Sequence, residues 1–257
     1  MIRIFLPSEE LASEEALITG DNARHLSLVL RVQPGDVITA FDGKGYKYEC
    51  NIIDIHKKGI QAKVMSRTPY SVESPIAISL AQGIAKGEKM DLIIQKSTEL
   101  GVYGIIPVIT ERSQVRHTHK LERWRKIALF ASQQSGRDRV PEIQDPVNLE
   151  EFLSRQMTPA AKGYIEDIKG VRLENSACMM LSERQEDKNL KQTLLTLKDI
   201  TQLTLLVGPE GGFSNKEVKA AVDRGFREVS LGPRILRTET APITAISIIQ
   251  YELGDVG

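Results

Sequence analysis

The sequence predicts an α/β protein whose larger part is a mostly parallel sheet with helices on both faces, preceded by a small β-rich barrel. Three observations carry this. Short apolar segments crowd the first 70 or so residues, strands and helices alternate from Ile76 onward, and the stretch between, RTPYSVESP over 67–75, is rich in proline and hydroxyl side chains. The boundary is therefore placed between a barrel domain over 1–72 and an α/β domain over 73–257.

In chain order, Ile2–Leu6 is a candidate strand, and Asp36–Phe41 alternates into a Gly43-Lys44-Gly45 turn. Tyr46–Asp54 and Ile60–Ser66 follow, parted by Lys57-Lys58-Gly59. One helix interrupts them, from Asp21 as its N-cap to about Val32. Past the linker, Ile76–Leu80, Gly104–Ile109, Ala177–Leu181, Leu203–Val207 and Glu228–Leu231 are strand-length apolar runs. Glu88–Leu100 (closed by Gly101), Leu121–Ser135 and Pro242–Leu253 carry helical spacing between them. Such alternation implies parallel strands, because each crossover helix returns the chain to the same edge. Ser154–Ser176 fits neither period.

Composition removes several function classes. With 41% hydrophobic and 26% charged residues among 257, the chain can bury a core and remain soluble. Lys plus Arg and Asp plus Glu number 34 each, so any surface for a polyanion is local. Cys50 and Cys178 are far apart and lack ligand spacing, which predicts no disulfide framework and no metal. The start, MIRIFLPSEE, lacks the regions of a signal peptide, and no apolar run reaches membrane-span length, so a cytosolic protein without membrane contact is expected.

Two glycine loops hold the chemistry. In LLVGPEGGFSNKEV (205–218), an apolar strand runs into Gly208-Pro209-Glu210-Gly211-Gly212, and Ser214 with Glu217 forms a capping box, so a helix begins near Asn215 and ends at Gly225. Glycines between a strand's C-terminal end and a helix N-terminus stand where open α/β sheets bind ligands. The loop lacks the Gly-Lys-Ser/Thr of a Walker motif and the G-x-G-x-x-G spacing of a dinucleotide fingerprint, and taken alone it also reads as a tight turn. A second loop, SLGPRILRTETAPITAI (230–246), repeats strand, Gly-Pro and helix. Two such loops can face each other across one crevice.

Basic charge gathers between Lys86 and Arg139, where eleven Lys and Arg stand against six acids. These are Lys86, Lys89, Lys96, Arg112, Arg116, Lys120, Arg123, Arg125, Lys126, Arg137 and Arg139, with His117 and His119 among them. Solvated helix faces with paired charges account for such a run, as does a strip for a phosphate backbone.

GPEGGFSNKEV followed by SLGPRILRTETA resembles the knotted, SPOUT-class RNA methyltransferases. More narrowly it resembles the RsmE family, the 16S rRNA uridine-N3 methyltransferases. RHLSLVLRVQPGD (24–36), FDGKG (41–45), KGEKMDLIIQKSTELGV (86–102), ERS (111–113) and QSGRDRVPE (134–142) match the family in order, over essentially the whole chain. Phe130 and Gln133 depart from it, standing where acidic residues are expected. The resemblance implies a trefoil-knotted sheet, formed by a C-terminal segment threaded through a loop. It further implies a PUA-like N-terminal barrel that binds RNA, a homodimer, S-adenosylmethionine as cofactor, and 16S rRNA of the small ribosomal subunit as partner.

Carried onto this chain, the resemblance places the cofactor against Leu181, Val207, Gly208, Pro209, Gly211 and Gly212 on one side, and Leu231, Gly232, Ile235, Leu236, Arg237 and Thr240 on the other. Arg237 is the candidate for stabilising a uracil oxyanion, and Glu239 or Glu210 for accepting the N3 proton; an internal salt bridge is the alternative for Arg237 and Glu239. Arg24, His25, Arg31, Lys86, Lys89, Arg112 and Arg137 are the expected RNA contacts, and Gln134 and Ser135 are candidates for a dimer or substrate pocket. Two other readings stay open on the residues alone: a related knotted methyltransferase acting on ribose or guanine, and a non-catalytic RNA-binding or assembly protein.

Overall fold

The computed structural model describes residues 2–114, 118–155, 175–183 and 189–257. The described residues form two compact units. One comprises Met1–Glu73 with Leu129–Val140, and the other Ser74–Ala128 with Pro141–Gly257. The linear boundary read from composition falls beside Glu73, but nothing in the periodicity marks 129–140 as belonging with the N-terminal stretch.

In the N-terminal unit five strands are ordered β1-β3-β4-β5-β2: Arg3–Phe5, Glu15–Ile18, Val37–Phe41, Tyr46–His56 and Gly59–Pro69 are β1 to β5. All pairs are antiparallel except β1 with β3. One face of these strands closes on a single core containing Ile4, Ile18, Leu26, Ile38, Cys50, Ile52 and Ile60. Burial pushes the Cys50 thiol up to about 11, so it acts as a small apolar side chain. Glu15–Ile18, absent from the sequence reading, alternates exposed and buried and pairs with β5. The linker is shorter than expected, because β5 runs on through Arg67 to Pro69, which lies opposite Tyr46.

The helix placed at Asp21 differs in two respects. Thr19, with extended φ −126° and ψ −178°, is the N-cap of α1 (Gly20–Arg24). From His25 to Val29 the helix then widens to π geometry, with Leu30 N–H donating to the His25 carbonyl and Val32 N–H to that of Leu26. Such a turn satisfies the backbone while shifting side-chain directions.

The second unit is a wholly parallel seven-stranded sheet, ordered β12-β10-β11-β6-β7-β8, with β9 also pairing β7. Its strands are β6 (Ala77–Gly83), β7 (Gly104–Ile109), β8 (Glu142–Ile143), β9 (Val147–Asn148), β10 (Ser176–Leu181), β11 (Gln202–Val207) and β12 (Arg227–Val229). Consecutive strand residues point to opposite faces, and Leu80 with Ala81, Met179 with Met180, and Leu205 with Leu206 are all fully buried. Both faces are therefore covered. On one, Ala81, Ile106, Met180 and Leu206 pack with Leu149, Phe152 and Leu153 of α4 (Leu149–Arg155) and Ala221 of α6 (Asn215–Asp223).

Helices α2 (Lys89–Glu99) and α3 (Leu121–Ser135) match their sequence signals closely. Trp124 of α3, 1% exposed, donates its indole N–H to Asp91 of α2 at 3.1 Å. The short α5 is Leu190–Leu195, and α7 spans Thr240–Leu253, two residues earlier than expected. Pro242 thus lies in the first turn of α7, where its missing N–H has no intrahelical partner to lose. Arg116, His117 and most of the stretch 154–176 lie outside the described residues.

Candidate active site

Strands β12, β10 and β11 are consecutive in the sheet and parallel, so the loops leaving their C-terminal ends share one edge. A cavity of about 420 Å³ opens there, within the range for small-ligand sites. The first glycine loop forms one wall and the second the other, and Leu181 at the end of β10 with Ser182 and Glu183 after it complete the lining.

The first loop is held from several directions. The Gly208 carbonyl accepts from Thr238 Oγ1 at 2.9 Å and Gln82 Nε2 at 3.3 Å. Arg112 Nη1 donates to the Gly211 carbonyl at 2.9 Å. The expected capping box is present in both directions: Glu217 N–H donates to Ser214 Oγ, and Ser214 N–H to Glu217 Oε2. The free oxygen of Glu217 accepts from the Glu111 N–H at 2.7 Å, which fixes the turn carrying Arg112. Beneath the loop, a Cβ on Gly83 would stand 2.5 Å from Pro209 N and Cδ, so strand β6 approaches the loop as only glycine allows.

The second wall is open. Gly232 turns the chain at φ +102°, and Pro233, Arg234, Ile235 and Arg237 are exposed, Ile235 at 76%.

Leu181, Val207, Gly208, Pro209, Gly211, Gly212, Leu231, Gly232, Ile235, Leu236 and Arg237, all expected at the cofactor, line this one cavity. Thr240 does not. It is the first residue of α7, which begins two residues early, and its N–H bonds the Arg237 carbonyl. Sequence reasoning missed Glu183, Phe213, Val229, Arg234, Thr238 and Ala241 on the lining. Arg234 and Thr238 stand inside the quoted second loop, and Glu183 just past a strand end, so position relative to the strands was the available signal.

The acid candidates separate. Burial alone would raise the Glu210 carboxyl, but the N–H groups of Glu210 itself and of Lys86, with the Lys89 ammonium, outweigh it and hold it below the usual carboxylate value. Such a carboxylate is a poor proton acceptor. Glu239 lies off the cavity lining; its Oε2 is buried, receives no hydrogen bond, and stands 3.9 Å from Lys89 Nζ.

The basic strip is largely paired. Lys96 pairs with Glu99, Arg123 with Asp91, and Arg125 with Glu122 and Asp145. Arg137 requires a correction. It is 4% exposed, its guanidinium closes on the Glu73 carboxylate, and so it is not a surface cation for RNA. In the same N-terminal unit, Arg24 immediately precedes the π turn, His25 opens it and Arg31 follows it; Arg31 is exposed and held at φ 53°. The His25 ring stacks at a tilt on Phe130, 6.1 Å between centroids, and Gln133 donates to Asn22, which is what the two departures from the family pattern do here. Gln134 is exposed, and Ser135 bonds back to the Ala131 carbonyl within its own helix.

No group of three or more metal-ligating side chains occurs among the described residues. Nor is any helix among them long and apolar enough to cross a membrane.

The sequence and fold match known proteins along nearly the whole chain. The family model described as "RNA methyltransferase domain" covers residues 72–250, and "RNA methyltransferase PUA domain" covers 18–65, which defines the class. Ribosomal RNA small subunit methyltransferase E of Bacillus subtilis is 34% identical over 98% of this chain and 97% of its own. The protein of that name from Neisseria gonorrhoeae, solved bound to S-adenosyl methionine, superposes with a TM-score of 0.86 at 35% identity and full coverage of both chains. A Legionella pneumophila methyltransferase in complex with the bound cofactor SAM gives 0.85 at 34% identity, covering 99% of each. The chain belongs to the ribosomal RNA small subunit methyltransferase E family.

Proposed function

We propose that this enzyme transfers a methyl group from S-adenosylmethionine to N3 of one uridine in 16S rRNA. The observation that carries the cofactor reading is the cavity itself: two glycine loops leaving nearby parallel strands enclose about 420 Å³, with carbonyls and small residues on one side and apolar side chains on the other. These residues fit an adenosine and an amino acid tail. The Gly83–Pro209 approach keeps the first wall close to the sheet and leaves the space above it for the ligand. Bound there, the cofactor supplies an electrophilic methyl group.

The remaining work falls to the chain. Val207, Leu231 and Leu236 shield the reacting atoms from water. The imide N3–H of uracil must lose its proton before it attacks, and Arg237, on the cavity wall, stabilises the negative charge shared by the ring oxygens. The new C–N bond forms as the S–C bond breaks, releasing S-adenosylhomocysteine. Glu210 lines the cavity but is committed to Lys86 and Lys89, and Glu239 lies off the lining beside Lys89, so the N3 proton leaves to solvent. N3 lies on the Watson–Crick edge, so the base enters unpaired.

Arg24, His25, Arg31, Lys86 and Arg112 are the proposed RNA contacts. A homodimer, a cytoplasmic location and the knotted threading of the C-terminal segment belong to the same proposal.

The test is a calorimetric titration with S-adenosylhomocysteine, using GTP and NADH as controls, followed by mass mapping of 16S rRNA after incubation of assembled small subunits with enzyme and cofactor. One equivalent of S-adenosylhomocysteine bound, silence with the controls, and a single N3-methyluridine are expected. A ribose or guanine product would replace the uridine assignment, and no binding by folded protein would leave an RNA-binding protein.

A further inference from the structure

We infer that Lys89 is a positioning residue that braces the two glycine loops against each other and thereby shapes the cofactor cavity; this rests on the cofactor reading above. Lys89 is the first residue of α2, where the aligned peptide dipoles disfavour a cation. Its ammonium instead answers two carboxylates from two different loops. Nζ is 3.1 Å from Glu210 Oε1 of the first loop and 3.9 Å from Glu239 Oε2 at the end of the second.

Each carboxylate depends on that contact differently. Glu210 Oε1 also accepts the Lys86 N–H at 3.1 Å, so the first loop is fastened to the turn that opens α2. Glu239 Oε2 is buried with no hydrogen-bond donor, and Lys89 is the cation that the described residues place within ion-pair distance of it. Without the ammonium, two partly buried carboxylates face one joint with no cation between them. Burial strengthens their repulsion, and the loops part. The neutral Thr238–Gly208 bond still spans the same joint, so loss of the Lys89 charge distorts the cavity without unfolding the chain. A lysine already answered by two carboxylates also brings little net charge to an RNA phosphate. The alignment of Lys89 with RNA contacts in the sequence is thus better explained by the loop brace.

The variants Lys89→Met, Lys89→Arg and the double Lys89→Met/Glu239→Gln decide this, read by S-adenosylhomocysteine titration, cofactor-dependent turnover and the salt dependence of RNA binding. Lys89→Met is expected to raise Kd for S-adenosylhomocysteine about tenfold and KM for the cofactor alike, with kcat at saturating cofactor within about twofold. The salt slope of RNA binding should not move, and Lys89→Arg should recover most of the lost affinity. The double variant should bind more tightly than Lys89→Met alone, because removing one carboxylate relieves the repulsion. Wild-type Kd in Lys89→Met, a shallower salt slope, or a double variant weaker than the single overturns the brace. Failure of the unaltered enzyme to bind S-adenosylhomocysteine overturns the cofactor reading instead.

Discussion

Arg137 and Arg237 each stand in a short Gly- and Arg-rich segment, yet the structure uses them in opposite ways. In the N-terminal unit, Arg137 is 4% exposed, donates through Nε to Glu73 Oε1 at 3.1 Å, and has its own carbonyl capped by Arg3 Nη2 at 2.8 Å. In the sheet unit, Arg237 is exposed on the wall of the cavity. One corner is finished internally; the other ends in solvent, where a substrate can meet it. The difference lies in the carboxylate that folding brings, and residue type does not reveal it.

The comparison predicts opposite losses for the same substitution. Arg137→Ala strands a part-buried Glu73 carboxylate and should cost about 3–5 kcal/mol of stability by denaturant unfolding. Arg237→Ala should leave the melt unchanged and S-adenosylhomocysteine bound, while turnover falls by about 100-fold or more. A stable Arg137→Ala whose RNA affinity has dropped would return Arg137 to the surface role. Near-normal turnover in Arg237→Ala would remove its proposed part in the chemistry.

Asp138 sharpens the same corner. Burial, then the hydrogen bond and charge of Glu73, push its carboxyl up from 3.8 to about 6. Because the folded value is raised, the native chain holds an extra proton between these limits, and stability falls as pH rises through that window. At pH 8 the ionised side chain therefore leaves the fold less stable than at pH 4. Asp138→Asn, which imitates the protonated state, should flatten the stability profile between pH 4 and pH 6 and raise the midpoint at pH 8. An unchanged profile would mean that Asp138 is ionised without cost.

What the sequence made legible was local. The capping box of Ser214 and Glu217, the strand Gly104–Ile109 and the helix Leu121–Ser135 depend on neighbours a few positions away, and they stand where the pattern placed them. The glycine loops were legible as the walls of one crevice because each couples a strand end to a helix start, and they line a single cavity. The Arg137–Glu73 pair spans 64 positions, the Lys89 brace joins three segments, and β2 is an edge strand only four residues long. Those features depend on tertiary proximity, which periodicity does not encode. The start of α7 shifts for a smaller reason: proline marks a helix start, but the first turn tolerates it at any position that lacks an intrahelical N–H partner, and here it stands third.

The smallest predicted effect probes the open wall. Ile235 is 76% exposed and yet lines the cavity, so its apolar surface is poorly used until something covers it. Ile235→Ser removes little from the folded chain and should shift stability by less than about 0.5 kcal/mol, the usual scale for an exposed site. The same change takes apolar area away from a bound adenosine, and should weaken S-adenosylhomocysteine by about fivefold, roughly 1 kcal/mol. A ligand affinity that does not move would show that the second wall swings clear of the cofactor and that its apolar side serves another contact. A stability loss well above that scale would show that the wall is packed in the working enzyme, as the contrast with the finished corner at Arg137 does not allow.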